Sequence, residues 1–238
     1  MQKVNIITPV KDSIELTLET VKAIIESDIT IPYSYTVYND FSTEENTAIL
    51  EKLSKELNFN LINLSNITTN PSPNYLLVLQ YAQARAIEEN AGLLIVESDV
   101  IVKKDTIQRL FDEASSYSNC GIAASVTVDE SGEINYPYLY AKGSENQAFS
   151  TKRHLSFCCS LLTLKFLKSF DFNQLNPAKS WYDVTVSHQS LSLNFKNYLF
   201  TKLPVLHRPH GSRPWKQLKY SNPIKYYWLK LIRKRDKI

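Results

Sequence analysis

Short apolar runs and helical repeats alternate along the first half of the chain, and this alternation is the strongest constraint on its fold. Between the runs, apolar residues recur with the spacing of amphipathic helices. A βαβα order of this kind predicts a mostly parallel sheet with helices on both faces. The expected strands lie at 4–10, 35–40, 61–64, 93–97 and 121–128, and the expected helices at 13–27, 43–57, 73–86 and 107–114.

Polar residues with helix-capping chemistry precede several of these helices. Asp12 or Ser13 can cap the first, Ser42 or Thr43 can cap the second, and Pro73 suits the start of the third. The apolar positions that define the helices are Ile14, Leu18, Val21 and Ile25, then Ile49, Leu53 and Leu57, then Tyr75, Leu79, Ala82 and Ala86, and finally Ile107, Leu110, Phe111 and Ala114.

The second half of the chain is less regular. Residues 129–154 are polar and turn-rich, and they are predicted to form a long loop that is either functional or disordered. A buried strand is expected at 155–164, a short helix at 166–170, a helix within 177–195 and a last strand at 198–206. The length suits one domain over 1–212, with halves at 1–102 and 103–212, followed by a tail at 213–238.

Composition excludes several classes of protein. The five glycines form neither a dinucleotide-binding nor a P-loop fingerprint. Cys120, Cys158 and Cys159 have no CxxC spacing, so neither a disulfide framework nor a zinc knuckle is indicated. Without a long apolar run or a signal peptide, we expect a cytoplasmic protein, peripheral to the inner face of the cell membrane if its tail binds lipid.

Charge is distributed unevenly. The tail carries nine Lys or Arg against one Asp, whereas residues 1–212 carry a net charge of −5. Tyr226, Tyr227, Trp228, Leu231 and Ile232 accompany the basic residues. This tail is expected either to contact an anionic membrane or to pack on the domain as an ordinary helix. Nucleic-acid binding is not expected, because the body is acidic.

Two carboxylates one residue apart follow the most apolar strand, in the segment GLLIVESDVIV. Glu97 and Asp99 need a basic side chain, water or a metal ion nearby, since burying an unpaired anion costs several kcal/mol. Ligands bind outside the carboxyl ends of parallel strands, which is where this pair lies. The pairs Thr8-Pro9 and Asn39-Asp40 end two other strands at the same rim.

The ordered set of these segments resembles family 2 glycosyltransferases with the GT-A fold, over nearly all of residues 3–212. VNIITPV is similar to the family's first strand, and YNDFSTEE to its V-D-D-G-S-x-D segment. VESDV occupies the place of the D-x-D motif. WYDVTVSHQSL is similar to E-D-x-D-L-x-x-R, and VLHRPHGS to the closing V-x-H-x-x-x-G-S. The implied fold is a GT-A-like nucleotide-binding half merged with a smaller acceptor-side region.

The resemblance also implies roles for individual residues. Asp183 would be the general base, and Asp99 would bind the metal with His207, which fits the spacing better than His210. Trp181 and Tyr182 would stack on an acceptor sugar or serve as core aromatics. The nucleotide sugar would contact Thr8, Pro9, Val10, Asn39, Asp40, Glu97 and Ser98, with Asp40 holding the uracil.

Mn²⁺ or Mg²⁺ is the cofactor that these residues suggest, because both ions bind carboxylate oxygen and imidazole favours Mn²⁺. The predicted reaction moves a sugar from a UDP-sugar to a glycan or lipid-linked acceptor, with inversion. Surface polysaccharide assembly is one compatible setting.

Departures from the family pattern leave other interpretations open. Tyr182 stands where the family usually has Glu, Thr185 where a second Asp is common, and Phe41 where Gly is common. NPSPNY replaces a Gly-rich segment, and the later Arg of the catalytic helix is missing. A catalytically weakened sugar- or nucleotide-binding module is one alternative. A nucleotidyltransferase-like enzyme is another, although it would normally have a Gly-rich basic loop after the first strand.

Overall fold

The computed structural model describes residues 2–178, 181–208 and 222–232, apart from the side chains of 229–231. The elements of the first half are β1 (Val4–Val10), α1 (Ile14–Ile25), β2 (Tyr33–Asn39), α2 (Glu44–Glu56), β3 (Asn60–Asn63), α3 (Tyr75–Glu88), β4 (Gly92–Val96), β5 (Val100–Ile101) and α4 (Thr106–Ser116). The second half contains β6 (Cys120–Val128), β7 (Ala148–Thr151), β8 (Cys159–Leu162), α5 (Leu164–Leu167), α6 (Tyr182–Ser192), β9 (Lys196–His207) and α7 (Pro223–Ile232).

The nine strands found among the described residues form one mixed sheet in the order β3-β2-β1-β4-β8-β6-β9-β5, with β7 paired to β9. Strands β1, β2, β3 and β4 pair in parallel, and β6 pairs in parallel with β9. Strand β8 runs antiparallel between β4 and β6, while β5 and β7 run antiparallel to β9. The predicted mixed, mostly parallel sheet with flanking helices is therefore confirmed.

Two hydrophobic clusters cover the two faces of this sheet. In β4, Leu93 and Ile95 belong to one cluster, whereas Leu94 and Val96 belong to the other, because successive side chains of a strand point to opposite faces. Helix α3 packs against the first face, and α1 and α4 pack against the second. Each fully buried Leu or Ile contributes about 1.5–3 kcal/mol. Because β4 is buried on both faces, its apolar run from Leu93 to Val96 contains no polar residue.

Helix starts and faces follow the sequence pattern closely. Thr43 is the N-cap of α2, and its side chain accepts a hydrogen bond from Asn46 N at 3.3 Å. Ser13 occupies the N-cap position of α1 without a side-chain bond. In α2 the fully buried residue is Leu50 rather than Ile49, because this helix beside the edge strand β3 buries only a narrow stripe.

The predicted strand at 155–164 is shorter than expected. Only Cys159–Leu162 forms β8, because the backbone before it bonds to side chains instead of a neighbouring strand. Leu155 N donates to Ser187 Oγ at 3.0 Å, and Ser156 N donates to the Tyr138 hydroxyl at 3.0 Å. The predicted loop 129–154 likewise contains ordered structure, namely β7 and a 3-10 turn at Leu139–Ala141.

Glu89 joins the end of α3 to the start of β1. Its carboxylate accepts a hydrogen bond from Arg85 Nε at 2.7 Å and also bonds to Lys3. Burial raises the pKa of Glu89, but the bonds from Arg85 and Lys3 outweigh it and bring the pKa from 4.5 to about 2. This contact stabilises the junction between the end of α3 and the start of β1.

Helix α7 lies in the predicted tail and exposes apolar side chains. Ile224 is 84% exposed and Trp228 is 61% exposed. Within the described part of the chain, no helix has the length and apolar character needed to cross a membrane.

Candidate active site

The carboxyl ends of the parallel strands meet at one rim, as the strand order predicts. Val10 at the end of β1 is in register with Asn39 at the end of β2. Strand β4 lies on the other side of β1 and ends at Val96. Residues 97–99 then form a tight turn, in which Val100 N donates to Glu97 O at 3.1 Å. The two carboxylates therefore lie at the rim formed by the carboxyl ends of β1, β2 and β4.

Strand β5 places His207 beside Asp99. Val100 pairs with His207 in the antiparallel ladder between β5 and β9, and Arg208 N donates to Asp99 O at 3.0 Å. As a result, His207 Nε2 lies 3.6 Å from Asp99 Oδ2. Both residues are buried, at 5% and 7% exposure. The predicted pairing of these two side chains is thus present in the fold, although more than a hundred residues separate them.

The orientation of His207 suits a metal ligand. Its Nδ1 lies 3.0 Å from the carbonyl oxygen of Tyr136, which can only accept a hydrogen bond. Nδ1 therefore carries the proton, and in the neutral ring Nε2 presents its lone pair toward the carboxylates. Histidines that bind a metal through one ring nitrogen commonly donate the proton of the other nitrogen to a carbonyl oxygen, which fixes the orientation of the ring. Asn135 Nδ2 also donates to His207 O at 3.0 Å, which anchors the strand end.

Cys158 completes this group of donors. Its thiol donates to Glu97 Oε2 at 3.4 Å, and its Sγ lies 3.9 Å from His207 Nε2. One donor atom from each of Glu97, Cys158 and His207 lies within 4.8 Å of the others. Burial and then the charge of Glu97 raise the pKa of the Cys158 thiol well above its usual value, with Asp99 adding to the rise. The set of carboxylate, imidazole and sulfur donors fits a divalent cation.

The side chain of Asp40 is held by the loop that precedes α3. Ser72 Oγ and Asn74 N both donate to Asp40 Oδ2 at 2.8 Å, and Asn74 Nδ2 donates to Asp40 Oδ1 at 2.8 Å. The residue is 8% exposed. These three bonds compensate the buried charge and give the carboxylate a fixed orientation at the rim. The predicted contact of Asp40 with a nucleobase stays a prediction.

The other rim residues on β1 and β2 bond mainly within the protein. Thr8 is fully buried, and its Oγ1 accepts a hydrogen bond from the Tyr35 hydroxyl at 3.0 Å. Asn39 Nδ2 donates to Thr47 Oγ1 and Asn63 Oδ1, each at 2.9 Å, which ties β2 to α2 and β3. Pro9 is half-buried, whereas Val10 and Ser98 are buried. Their predicted nucleotide contacts are untested.

The loops after β1 and β2 adopt left-handed backbone conformations. The φ angles are 53° at Asp12, 51° at Ser13 and 57° at Phe41, although none of these residues is glycine. The loops hold each other in place: Asp12 N donates to Ser42 Oγ at 2.8 Å, and Thr43 N donates to Asp12 Oδ1 at 2.9 Å. Residues kept in sparsely populated backbone conformations cluster at functional sites.

Asp183 lies in the first turn of α6 and is half-buried. Burial, followed by the charges of Cys158, Tyr140 and Asp183, raises the pKa of the Tyr138 hydroxyl well above its usual value. Tyr138 is fully buried, and its hydroxyl accepts a hydrogen bond from Ser156 N, two residues before Cys158. Helix α6 contacts the same segment, since Leu155 N donates to Ser187 Oγ at 3.0 Å.

Trp181 and Tyr182 differ in their surroundings. Trp181 occupies the N-cap position of α6 and is 36% exposed, whereas Tyr182 is 8% exposed. The ring of Tyr182 stacks on that of Tyr75 with centroids 6.4 Å apart. Tyr182 therefore packs as a core aromatic, and Trp181 is the one with surface available to an acceptor. His210 lies outside the described residues.

The sequence pattern does not reveal three contributors to the site. Cys158 has no CxxC spacing, Asn74 lies in a loop that departs from the family pattern, and Tyr136 contributes a backbone carbonyl that no side-chain pattern indicates. The only sequence signal for Cys158 is its position next to Cys159 within the strand predicted at 155–164.

The family model for glycosyl transferase family 2 matches residues 5–171. The chain belongs to this family. The matched segment includes β1, the Asp40 loop, the carboxylate turn and Cys158, but it ends before Asp183 and His207. No curated protein matches the sequence.

Solved glycosyltransferase structures share the fold. S. aureus TarS 1-349 in complex with UDP-GlcNAc aligns with a TM-score of 0.65 at 18% identity, over 97% of this chain and 65% of that one. Mannosyltransferase PcManGT from Pyrobaculum calidifontis, in complex with GDP-Man and Mn²⁺, gives 0.63 at 14%, over 97% and 64%. GalNAc-T7 with UDP, GalNAc and Mn²⁺ gives 0.65 at 9%, over 87% and 44%. The chain thus spans less than two thirds of each neighbour.

Proposed function

We propose that the protein is a metal-assisted, inverting glycosyltransferase that moves a sugar from a UDP-sugar to a glycan or lipid-linked acceptor. The observation that carries this proposal is the convergence of Glu97, Asp99 and His207 at the strand-end rim of a family 2 chain. Complexes of the structural neighbours with UDP-GlcNAc, GDP-Man and Mn²⁺ support a nucleotide-sugar donor and a divalent cation.

The donor would bind across the ends of β1, β2 and β4. Asp40, held by Ser72 and Asn74, presents a pre-oriented carboxylate edge toward the base. A divalent cation held by Glu97, Asp99 and His207 would neutralise the charge that develops on the diphosphate leaving group. The Tyr136 carbonyl keeps the proton of His207 on Nδ1, so that Nε2 stays available as a ligand.

Asp183 is the proposed general base. Its Oδ1 accepts a hydrogen bond from Val184 N at 2.9 Å, which orients the carboxylate at the start of α6. An acceptor hydroxyl that attacks the anomeric carbon transfers its proton to this carboxylate, and one in-line displacement inverts the anomeric configuration. General bases of this kind accelerate reactions by about 10²–10⁴-fold. The exposed Trp181 beside it supplies a surface on which an acceptor ring can stack.

The proposed location is cytoplasmic, with the tail at the inner face of the cell membrane. Exposed Ile224 and Trp228 on α7, together with the basic residues of 213–238, support contact with anionic lipid. Such contact would bring the site to a lipid-linked acceptor. The proposal includes a boundary near residue 212, which separates the glycosyltransferase domain at 1–212 from the tail at 213–238.

A catalytically weakened nucleotide-sugar-binding module is the second candidate. The packing of Tyr182 against Tyr75, at the position where the family usually has Glu, favours it. This module would bind the donor without transferring its sugar.

Measuring UDP release from a panel of UDP-sugars, with glycan and lipid-linked acceptors, separates the two candidates. We expect Asp183→Asn to lower kcat by about 10²–10⁴-fold with donor binding unchanged. The exposed Glu88→Gln serves as the matched carboxylate-to-amide control and should leave kcat unchanged. Donor binding without turnover in the wild type would instead identify the binding module.

A further inference from the structure

Cys158 is the one member of the donor cluster that the proposed reaction does not use. It is 3% exposed, and its Sγ lies within 3.4 Å of Glu97 Oε2 and 3.9 Å of His207 Nε2. The backbone reinforces the approach, since Glu97 N donates to Cys158 O at 3.0 Å. A sulfur atom is thereby fixed at the centre of a carboxylate and imidazole site.

We infer that Cys158 is a metal ligand, and that the site selects a thiophilic divalent cation such as Zn²⁺ or Co²⁺ over Mg²⁺. The inference rests on the proposed donor site and deepens it by naming the class of cation. Thiolate and imidazole ligands favour Zn²⁺ and related transition metals, whereas Mg²⁺ favours carboxylates and water.

The distances between donor atoms agree with this assignment. Zinc bonds of about 2.0–2.3 Å at tetrahedral angles separate neighbouring donor atoms by about 3.3–3.6 Å. The separations are 3.4 Å between Cys158 Sγ and Glu97 Oε2, and 3.6 Å between Asp99 Oδ2 and His207 Nε2. Cys158 Sγ lies 3.9 Å from His207 Nε2, and the donor atoms of Glu97, Cys158 and His207 all lie within 4.8 Å of one another. Small rotations of side chains already in place would close these gaps.

The charges of the group are consistent with a bound cation. Two carboxylates converge here, and the thiol would release its proton to solvent on binding the ion. The charge of a divalent cation offsets charge that is otherwise costly to bury. His207 contributes a neutral nitrogen whose tautomer is set by the Tyr136 carbonyl.

The other cysteines provide internal controls. Cys120 and Cys159 are both buried, and desolvation raises the pKa of each thiol to about 12. Neither belongs to the donor group with Glu97 and His207. The double variant Cys120→Ala/Cys159→Ala therefore leaves Cys158 as the sole cysteine of the chain.

The test is Co²⁺ titration of the full chain, followed by near-ultraviolet absorption and calorimetry with Zn²⁺ and Mg²⁺. We expect a thiolate-to-cobalt charge-transfer band in the wild type and in Cys120→Ala/Cys159→Ala, and none in Cys158→Ser. Zn²⁺ affinity should fall at least about ten-fold in Cys158→Ser. Mg²⁺ affinity should change little, because a hydroxyl oxygen suits that ion.

A cobalt complex of the wild type without the band would overturn the inference, as would a band that survives in Cys158→Ser. The wild-type spectrum decides the matter even if Cys158→Ser does not fold. Calorimetric titration of UDP with the cation and in chelator distinguishes a failure of the Cys158 assignment from a failure of the proposed function. Cation-dependent UDP binding without the band refutes only the role of Cys158, whereas cation-independent UDP binding refutes the metal-assisted donor site.

Discussion

Replacing Asp40 with Asn tests the claim that the loop before α3 holds this carboxylate at the rim. Its Oδ2 accepts from Ser72 Oγ and Asn74 N, and its Oδ1 accepts from Asn74 Nδ2. The asparagine amide has only one oxygen, so its NH₂ must take the place of either Oδ1 or Oδ2 and face a hydrogen-bond donor. If the NH₂ replaces Oδ2, the Ser72 hydroxyl can rotate to accept a bond from it, but the Asn74 backbone N–H loses its acceptor. In the reverse orientation, the NH₂ of residue 40 would face the side-chain NH₂ of Asn74. The Asn74 side chain would then lose either its bond to residue 40 or, if its amide flips, its bond to Asn70 O at 3.1 Å.

Either orientation therefore removes at least one hydrogen bond and leaves the remaining bonds to residue 40 without charge assistance. A hydrogen bond to a charged group contributes about 1.5–3 kcal/mol, so we expect Asp40→Asn to lower the free energy of unfolding by about 2–4 kcal/mol. With a urea m-value of about 3 kcal/mol/M, the midpoint should fall by roughly 1 M. Circular dichroism during urea unfolding measures this directly.

Exposed Glu88→Gln is the control for this measurement and should change the free energy of unfolding by less than about 0.5 kcal/mol. Should Asp40→Asn match that control, the three hydrogen bonds do not hold the carboxylate, and the pre-oriented edge proposed for the nucleobase loses its physical basis.

Three further predictions concern strand β6, the junction between α3 and β1, and the tail. Gly121→Ala should lower the free energy of unfolding by about 1–3 kcal/mol, because the added methyl would lie 2.8 Å from Phe195 Cβ; urea unfolding would show no loss if the strand can shift. Glu89→Gln should destabilise by about 1–2 kcal/mol at neutral pH. Since the folded pKa of about 2 is below the unfolded 4.5, that difference is complete above about pH 4.5 and should vanish as pH falls toward 2 in pH-dependent unfolding. Trp228→Ala should reduce co-sedimentation with anionic vesicles; binding that is unchanged by this substitution would argue for a different contact.

Local patterns were sufficient to predict most of the fold. The run before Glu97 predicted a strand buried on both faces, and β4 contributes side chains to both clusters. Residues at helical spacing such as Leu110 and Phe111 pack as expected. Strand β7 was not predicted, because its pairing with β9 depends on a partner distant in the chain. Strand β8 is shorter than the strand predicted at 155–164, because the backbone before it bonds to side chains such as Ser187.

The candidate site was predictable only where strand ends define it. The rule that parallel strands present ligands at their carboxyl ends brought Asp40, Glu97 and Asp99 to one rim. The position of Cys158 depends on antiparallel pairing between β4 and β8, in which Val96 is opposite Cys159. No local spacing encodes that register, so the sulfur donor became visible only in the fold.

The metal-assisted donor site is tested most directly by calorimetric titration of UDP, with GDP and dTDP as controls, in Mn²⁺ and in chelator. We predict Mn²⁺-dependent binding of UDP to the wild type and loss of that binding in Asp99→Ala, with Glu88→Gln unaffected. Binding that is equally strong in chelator, or that survives in Asp99→Ala, would contradict a metal-assisted donor site at the carboxylate turn.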